Sequence, residues 1–231
     1  MTRLHFAAAV AALTIMAAGC ASAPQARTFP TVNRPVSGIF LETGRDLLPQ
    51  GVELRAVLAE GVTLTKASEG WVPELYNDPA GFCTVGYGHL VKRAACDGTE
   101  PPEFLDGLTE EEGEALLIED MTPAQIVVMN SVTVELSDAQ FSALTDFVFN
   151  VGSGNFRSST LLRKINGGDH ESVPTQLRRW VYADGQTYPG LVTRREREIE
   201  LYFLGEDVPR TLPGADEDTS PIDIRAGESE D

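Results

Sequence analysis

The sequence predicts an α+β protein that is predominantly helical, with a small antiparallel β-lobe beside a larger helical lobe. Three observations support this prediction. β-forming residues and glycines are concentrated in one stretch, residues 72–91, and helix-capping signatures recur through the rest of the chain. The composition, with 42% hydrophobic and 23% charged residues in 231, is typical of one folded domain.

The β-lobe is expected between residues 72 and 91. Aromatic and β-branched residues mark its strands, and the segment Asp78-Pro79-Ala80-Gly81 is a turn signal between two of them. The strand-forming residues are Val72, Tyr76, Phe82, Thr84, Val85, Tyr87 and Val91. We therefore expect an antiparallel sheet near the start of the folded domain.

Helices are expected on both sides of this sheet. Gly70 is typical of the residue just past a helix end, which makes Glu69 the last residue of the first helix. Pro123 is expected to kink or restart a helix, and Gly152 to end one. Four helix starts are predicted by a capping residue with an acid or amide three residues later. These pairs are Thr109 with Glu112, Thr122 with Gln125, Ser137 with Gln140, and Thr193 with Glu196.

The N-terminus is typical of an exported protein. Residues 6–18 form an apolar run of thirteen residues, the length of a signal-peptide core, whereas a membrane helix needs about 20. Residues 1–19 are interpreted as a signal peptide, and the small residues before Cys20 resemble a lipoprotein processing site at which Cys20 is lipidated. An ordinary secreted protein and an uncleaved leader that later leaves the membrane are the alternatives. All three place the protein outside the cytoplasm, in the periplasm or anchored to the outer membrane.

The remaining chain divides into three parts. Residues 20–51 contain four prolines and little periodicity, which predicts a linker, and residues 52–205 hold the folded domain. Residues 206–231 carry nine acidic residues against Arg210 and Arg225, so we expect an acidic disordered tail.

The charge is strongly negative and unevenly distributed. A net charge of −17 argues against a protein that binds nucleic-acid phosphates, because there is no cationic surplus. Thirteen acids and no Lys or Arg lie between Asp97 and Asp146, whereas residues 147–205 hold eight bases and six acids. This basic segment either faces an anionic polymer or forms solvated helix faces, and the sequence does not favour one of the two.

Three residues are candidates for catalysis, namely Glu69, Asp78 and Thr84. At the end of a helix, the helix dipole and the adjoining Trp71 favour a protonated Glu69, as a general acid requires. At the tip of a turn, polar surroundings favour an ionised Asp78. Two carboxyl groups in unlike environments are typical of enzymes that cleave glycosidic bonds. Taken singly, the three residues are also explained as a solvated helix end, a turn residue and a β-branched strand residue.

The joint spacing of these residues points to a known family. Glu69, eight residues, Asp78, five residues and Thr84 resembles the catalytic pattern of the phage-type lysozymes, or endolysins, of glycoside hydrolase family 24. The segment 85–90, Val-Gly-Tyr-Gly-His-Leu, is similar to the Gly-Tyr-Gly-His segment of that family. Residues 149–156, 158–162, 180 and 189–196 are similar to its central and C-terminal regions, in the same order. The resemblance covers residues 60–204, without the leader or the acidic tail.

This resemblance implies a lysozyme-like fold and hydrolysis of the β-1,4 bond between N-acetylmuramic acid and N-acetylglucosamine in peptidoglycan. It implies that Glu69 protonates the leaving oxygen and that Asp78 and Thr84 direct the attacking water, with inversion at the anomeric carbon. No metal ion or organic cofactor is required. The expected partners are peptidoglycan and, through the N-terminus, a membrane, and the protein is expected to be a bacteriolytic monomer. A non-catalytic peptidoglycan-binding lipoprotein and a lytic transglycosylase are the alternatives.

Two cysteines and one histidine lie within or beside the predicted β-lobe. Once Cys20 is assigned to the processing site, Cys83 and Cys96 are the two that remain, and in an exported domain they are expected to form a disulfide. A partial zinc site with His89 is the alternative, but it lacks a fourth ligand. His89 is expected to be structural and to pair with an acid rather than to act in catalysis.

Overall fold

The computed structural model describes residues 27–32, 46–215 and 217–224. The predicted signal peptide and the lipidation predicted at Cys20 lie outside these residues. The described helices are α1 (Ala59–Glu69), α2 (Pro102–Leu105), α3 (Glu110–Asp120), α4 (Thr122–Ser131), α5 (Asp138–Val151), α6 (Ser153–Ser158), α7 (Thr160–Asn166), α8 (Val173–Leu177) and α9 (Pro189–Tyr202). The described strands are β1 (Val72–Asn77), β2 (Cys83–Gly86), β3 (His89–Lys92), β4 (Tyr182–Ala183) and β5 (Gln186–Thr187). None of the described helices combines the length and the apolarity that crossing a membrane requires.

The predicted β-lobe forms as an antiparallel sheet with the strand order β1-β2-β3. The turn after β1 closes through the Gly81 N–H, which donates to the Asp78 carbonyl at 2.9 Å. Gly81 has a φ of +83°, a left-handed conformation that glycine adopts without a steric cost. Leu75, Val85 and the two cysteines form a small core for this sheet. The prediction of a sheet in this stretch is therefore confirmed.

The helical lobe is built around α5. Every residue of α5 is buried except Asp138 and Gln140 in its first turn. Helices α1, α4 and α9 pack against it. A helix that is buried on all sides belongs in the centre of a domain, which explains why these three helices cover α5. The prediction of a mainly helical α+β fold is confirmed.

Two of the four predicted helix caps are confirmed. The side chains of Thr109 and Ser137 accept from the backbone N–H three residues later, and Glu112 and Gln140 reach back to the cap backbone. Gly152, with a φ of +83°, follows the last residue of α5 as predicted. These reciprocal caps fix where α3 and α5 begin.

The other two predicted caps are wrong, although α4 does begin at Thr122. Helix α9 begins at Pro189 rather than at Thr193, because the fixed φ of proline suits the first turn of a helix. The Thr193 hydroxyl donates to the Pro189 carbonyl instead. Helix α4 has Pro123 in its first turn, as the predicted restart requires, but Gln125 donates to the Arg55 carbonyl rather than closing a cap.

Part of the predicted linker packs on the β-lobe. Thr31 forms a parallel bridge with Asn77 at the end of β1, and the Val32 N–H donates to the Asn77 carbonyl at 3.1 Å. The Phe29 side chain packs against the small core of the sheet. Residues 30–32 therefore pair with the backbone of Asn77 at the end of β1, whose N–H and carbonyl would otherwise need water or another partner.

Part of the segment predicted as a disordered tail packs on the helical lobe, which differs from our expectation. Ile224 is buried, and its N–H donates to the Tyr182 carbonyl at 3.0 Å. The Ile222 N–H donates to the Arg179 carbonyl, and the Arg179 guanidinium donates to Asp218. The two isoleucines bury apolar surface against the helical lobe. The overall acidic composition of residues 206–231 does not reveal these two residues.

Trp71 joins the two lobes between α1 and β1. Its ring centroid lies 4.9 Å from that of Tyr87, and the indole packs over Gly113 of α3. A Cβ at position 113 would come within 2.1 Å of the indole, so glycine is required there for the ring to fit. This packing holds the start of the sheet against α3.

Cys83 and Cys96 form the predicted disulfide. Replacing both by serine is expected to lower the free energy of unfolding by about 3 kcal/mol, because the bond closes a loop in the unfolded chain. Urea unfolding with and without reductant measures the loss. Reductant should destabilise the wild type by the same amount and leave the double variant unchanged. Equal stability of the two oxidised proteins would contradict this prediction.

His89 pairs with an acid, as predicted. Its Nδ1 lies 3.0 Å from Oδ2 of Asp120, the last residue of α3, so the pair ties β3 to the helical lobe. The hydrogen bond to Asp120 raises the pKa of His89 above its ordinary value, although burial acts in the opposite direction.

This pair predicts a pH dependence of stability. The pKa of His89 is higher in the folded protein than in the unfolded chain. The stabilisation by the His89–Asp120 pair is therefore complete below the unfolded pKa of about 6.5, and it is lost as the pH rises through the folded-state pKa. Asp120→Asn is expected to cost roughly 1.5–3 kcal/mol at pH 5 and much less at pH 9. Urea unfolding at both pH values measures the difference, with Glu111→Gln as the control at an exposed acid of the same helix. An equal loss at the two pH values would rule out a charged histidine as the source of the stabilisation.

Candidate active site

Glu69 is the last residue of α1, as the sequence predicts. Gly70 follows with a φ of +70°, and its N–H donates to the Lys66 carbonyl at the helix end. Glu69 is 5% exposed. The interpretation of Glu69 as a solvated helix end is therefore wrong, and a carboxyl buried to this extent needs polar partners.

Asp78 and Thr84 are linked through the backbone of Phe82. The Phe82 N–H donates to Asp78 Oδ1 at 2.7 Å, and the Phe82 carbonyl accepts from the Thr84 hydroxyl at 3.2 Å. Asp78 is half-buried, whereas Thr84 is buried on β2. The turn thus holds a carboxyl group and a hydroxyl in fixed orientations relative to one backbone segment.

The three predicted residues belong to one continuous piece of structure. Two residues separate Glu69 from the start of β1. Strand β1 then runs to the Asp78 turn, and its Tyr76 pairs with Thr84 across the antiparallel ladder. Their relative positions are therefore fixed by the α1–β1 connection and by the register of the sheet.

A buried arginine of α9 holds Glu69. Arg194 Nη1 lies 2.8 Å from Glu69 Oε1, and both side chains are 3% exposed. The same guanidinium donates to both carboxylate oxygens of Asp146, from Nε at 2.9 Å and from Nη2 at 2.8 Å. The Thr65 hydroxyl also donates to Asp146, at 2.7 Å. Arg194 thus bridges an acid of α1 and an acid of α5.

A second buried ion pair lies next to the first. Arg195 Nη2 lies 3.0 Å from Glu198 Oε1 and also donates to the Asn150 side chain. The Arg195 guanidinium stacks on the Phe147 ring, 4.8 Å from its centroid. The Arg195–Glu198 contact is an ion pair without hydrogen-bond alignment. Among the described residues, no hydrogen bond is made by Asn150 Nδ2, by Arg195 Nε and Nη1, or by either oxygen of Glu198. We refer to Glu69, Asp146, Arg194, Arg195 and Glu198 as the buried charge cluster.

The charges in this cluster determine the direction of each pKa shift. Although burial opposes the change, the carboxylates of Asp146 and Glu69 raise the pKa of Arg194, and Arg194 lowers the pKa of Asp146. For Glu198, burial dominates and the adjacent Asp146 acts in the same direction, so the Glu198 pKa lies well above its ordinary value.

The zinc alternative is wrong. Cys83 and Cys96 are bonded to each other and offer no thiolate, and His89 is held by Asp120. Glu100, which lies beside the two sulfurs, accepts from the backbone N–H groups of residues 97 and 98. The disulfide and these hydrogen bonds instead hold the loop that follows β3.

The basic segment 147–205 is divided between the surface and the interior. Arg178 forms a surface ion pair with Glu196 at 2.7 Å, as the interpretation of solvated helix faces predicts. Three other arginines are buried and form ion pairs, namely Arg179, Arg194 and Arg195. We expected this segment either to face an anionic polymer or to form solvated helix faces, and buried ion pairs are neither. Much of the cationic charge therefore neutralises acids within the protein.

Sequence reasoning missed the residues that surround Glu69, although two signals were present. Asp146 is the one charged residue in the stretch 139–151, and a buried acid needs a partner. Arg194 and Glu198 are spaced four residues apart, so they lie on one face of a helix. Neither signal identifies Glu69 as a member of the cluster, because that contact depends on how α1 packs against α9.

The raised pKa of Glu198 predicts how stability changes with pH. The contribution of Glu198 to the free energy of unfolding is complete below the unfolded glutamate pKa of about 4.3. It is lost as the pH rises towards the pKa of Glu198 in the folded protein. Glu198→Gln retains the shape of the neutral acid but needs no proton. We therefore expect the Glu198→Gln variant to be more stable relative to the wild type at pH 8 than at pH 5. Urea unfolding at both pH values measures the two differences in the free energy of unfolding.

Glu196→Gln on the same helix is the matched control. Arg178 lowers the pKa of Glu196, so the stabilisation by the ionised Glu196 is lost only at more acidic pH. The change in the free energy of unfolding caused by Glu196→Gln should therefore be equal at pH 5 and pH 8. If Glu198→Gln instead destabilises more at pH 8 than at pH 5, Glu198 is ionised in the folded protein and the prediction fails.

Comparison with known proteins gives consistent relatives. A family profile described as phage lysozyme matches residues 66–198. The chain is 39% identical over 155 residues to the SAR-endolysin of bacteriophage PS119, a match that covers 67% of this chain and 88% of that protein. It is 37% identical over 157 residues to the SAR-endolysin of enterobacteria phage P21, covering 67% of this chain and 89% of that protein.

Solved structures agree with these relatives. The muramidase domain of SpmX from Asticaccaulis excentricus superimposes with a TM-score of 0.55 at 32% identity, covering 64% of this chain and 98% of that domain. A mutant of P22 lysozyme gives a TM-score of 0.55 at 27% identity, with the same coverage of 64% and 98%. The fold is therefore lysozyme-like. Since the family profile spans more than half of the chain, the chain belongs to the phage lysozyme family.

Proposed function

We propose that this protein is a muramidase, a lysozyme that hydrolyses the β-1,4 bond between N-acetylmuramic acid and N-acetylglucosamine in bacterial peptidoglycan. Membership of the phage lysozyme family supports the reaction class, and the likeness to a muramidase domain supports the substrate. Glu69 acts as the general acid, and Asp78 and Thr84 direct the attacking water. We assign an inverting reaction to this arrangement.

The observation that carries this proposal is the contrast between the surroundings of the two carboxyl groups. Glu69 is buried and held by a guanidinium, whereas Asp78 is half-buried in a turn and accepts from a backbone N–H. Unlike environments allow one carboxyl group to deliver a proton while the other accepts one.

The proposed step conserves atoms and charge. Glu69 transfers its proton to the glycosidic oxygen as the bond to the anomeric carbon breaks. Water attacks that carbon from the opposite face and passes its proton to Asp78, while the Thr84 hydroxyl orients the water. An inverting reaction needs the two carboxyl groups about 6.5–9.5 Å apart, so that the water fits between sugar and base. After transfer Glu69 is a carboxylate, and Arg194, which lies 2.8 Å away, stabilises the charge that forms.

We also propose that the protein acts outside the cytoplasm, where its substrate lies. The apolar leader of residues 6–18 supports export, and relatives that are named SAR-endolysins are consistent with it. Lipidation of Cys20, a periplasmic or outer-membrane location and the monomeric state stay predictions.

Glu69→Gln tests the proposed function. Because the amide cannot supply the proton, we expect the rate of peptidoglycan hydrolysis to fall by at least about 100-fold. Zymography and turbidity clearing of purified cell walls measure this loss. Circular dichroism should show that the variant is folded.

Glu74→Gln, at an exposed acid of β1, is the matched control and should retain activity. Near-wild-type activity of Glu69→Gln would refute the role assigned to Glu69. Mass spectrometry of the wild-type products separates hydrolysis, which leaves reducing ends, from lytic transglycosylation, which leaves anhydro ends. Anhydro ends would overturn the water-directing role of Asp78 and Thr84.

A further inference from the structure

We propose that Asp146 is a positioning residue that acts on Glu69 through Arg194. In this role it sets the orientation of the Glu69 carboxyl and balances the charge of the Arg194 guanidinium beside it. The inference rests on the proposed function, in which Glu69 is the general acid. It adds a residue on a different helix that contacts neither the sugar nor the water.

The geometry of the guanidinium supports the positioning role. Two of the three Arg194 nitrogens donate to Asp146 and the third faces Glu69, so the position of Asp146 determines where Nη1 points. Asp146 is itself immobilised, because it is fully buried in the middle of α5 and accepts a further hydrogen bond from Thr65 at 2.7 Å. A planar fork held on two sides presents its last donor in one direction.

The charge of Asp146 supports the second half of the proposal. Asp146 neutralises Arg194 in a site from which water is excluded. Without that carboxylate, the full charge of Arg194 would act on Glu69 and stabilise its ionised form. The acid would then lose its proton at a lower pH, and the protonated form that the reaction needs would be depleted.

The other charged groups around Glu69 do not substitute for Asp146. On α1 itself, Lys66 is engaged by Glu114 at 2.6 Å and by Glu110 at 3.0 Å, both on α3. On α9, Arg195 is paired with Glu198, whose pKa burial raises. Helices α3, α5 and α9 pack against α1, and Arg194 is the one whose contact with Glu69 is described above. The other charged groups of these elements in the ion pairs above are Arg195 and Glu198 of α9, Asp146 of α5, Glu110 and Glu114 of α3, and Lys66 of α1.

The test is Asp146→Asn, made in a Glu198→Gln background so that Glu198 cannot change its charge in response. The dependence of kcat/KM on pH is measured with soluble peptidoglycan fragments and compared with Glu198→Gln alone. We expect the alkaline limb of the profile to move to lower pH by about one unit, as for one charge removed beside a buried acid. We also expect kcat to fall severalfold while KM changes little, because Asp146 contacts no substrate.

Arg194→Lys provides a second variant that keeps the positive charge. An ammonium cannot reproduce the planar fork and is expected to stay with Asp146, where Thr65 also contributes. Glu69 then loses its cationic partner, so the alkaline limb should move to higher pH, opposite to the effect of Asp146→Asn. This variant decides the question if Asp146→Asn does not fold.

Asp138→Asn is the matched control, since Asp138 lies on the same helix and pairs with Arg55 at the surface. It should leave the pH profile unchanged. Folded and active Asp146 or Arg194 variants whose alkaline limb does not move would overturn the proposal and leave Asp146 with a structural role alone. If Glu69→Gln is active, the proposed function fails. If Glu69→Gln is inactive but the alkaline limb does not move in the Asp146 and Arg194 variants, only this inference is rejected.

Discussion

Two buried carboxyl groups share one guanidinium, and the packing of three helices depends on that contact. Taking an ion out of water costs several kcal/mol unless it is paired and hydrogen-bonded. Arg194 of α9 meets this requirement only when Glu69 of α1 and Asp146 of α5 both lie within hydrogen-bond reach of its guanidinium. The contact therefore constrains how these three helices are rotated about their axes, and not only how far apart they lie.

The same contact locates the β-lobe relative to the helical lobe. Glu69 is held at the end of α1, and the sheet begins three residues later. Trp71 packs over Gly113, and the His89–Asp120 pair closes the far side of the lobe. The proposed reaction thus draws on both lobes, with the proton coming from the helical lobe and the water being directed from the sheet.

Much of this arrangement could be predicted from the sequence because it depends on short-range interactions. The Glu69–Gly70 helix end, the Asp78 turn and the reciprocal caps at Thr109 and Ser137 are each specified within a few residues. The start of α9 was misplaced because two local signals competed, and proline at the first turn prevailed.

The buried charge cluster could not be predicted in the same way. Its members are separated by 48 residues between Asp146 and Arg194 and by 125 between Glu69 and Arg194. No local pattern pairs residues at such distances, and only the packing of α1, α5 and α9 brings them together. The packed parts of the linker and tail were missed for a related reason, since averaged composition hides the few apolar residues that dock, such as Phe29 and Ile224.

The most direct test of the account is a crystal structure of the Glu69→Gln variant with a bound peptidoglycan oligosaccharide. The account predicts that the glycosidic oxygen lies within hydrogen-bond distance of the side chain at position 69. It also predicts a water on the opposite face of the sugar, held by Asp78 and Thr84. A scissile bond bound away from these three residues, or with all three on one face, would contradict it.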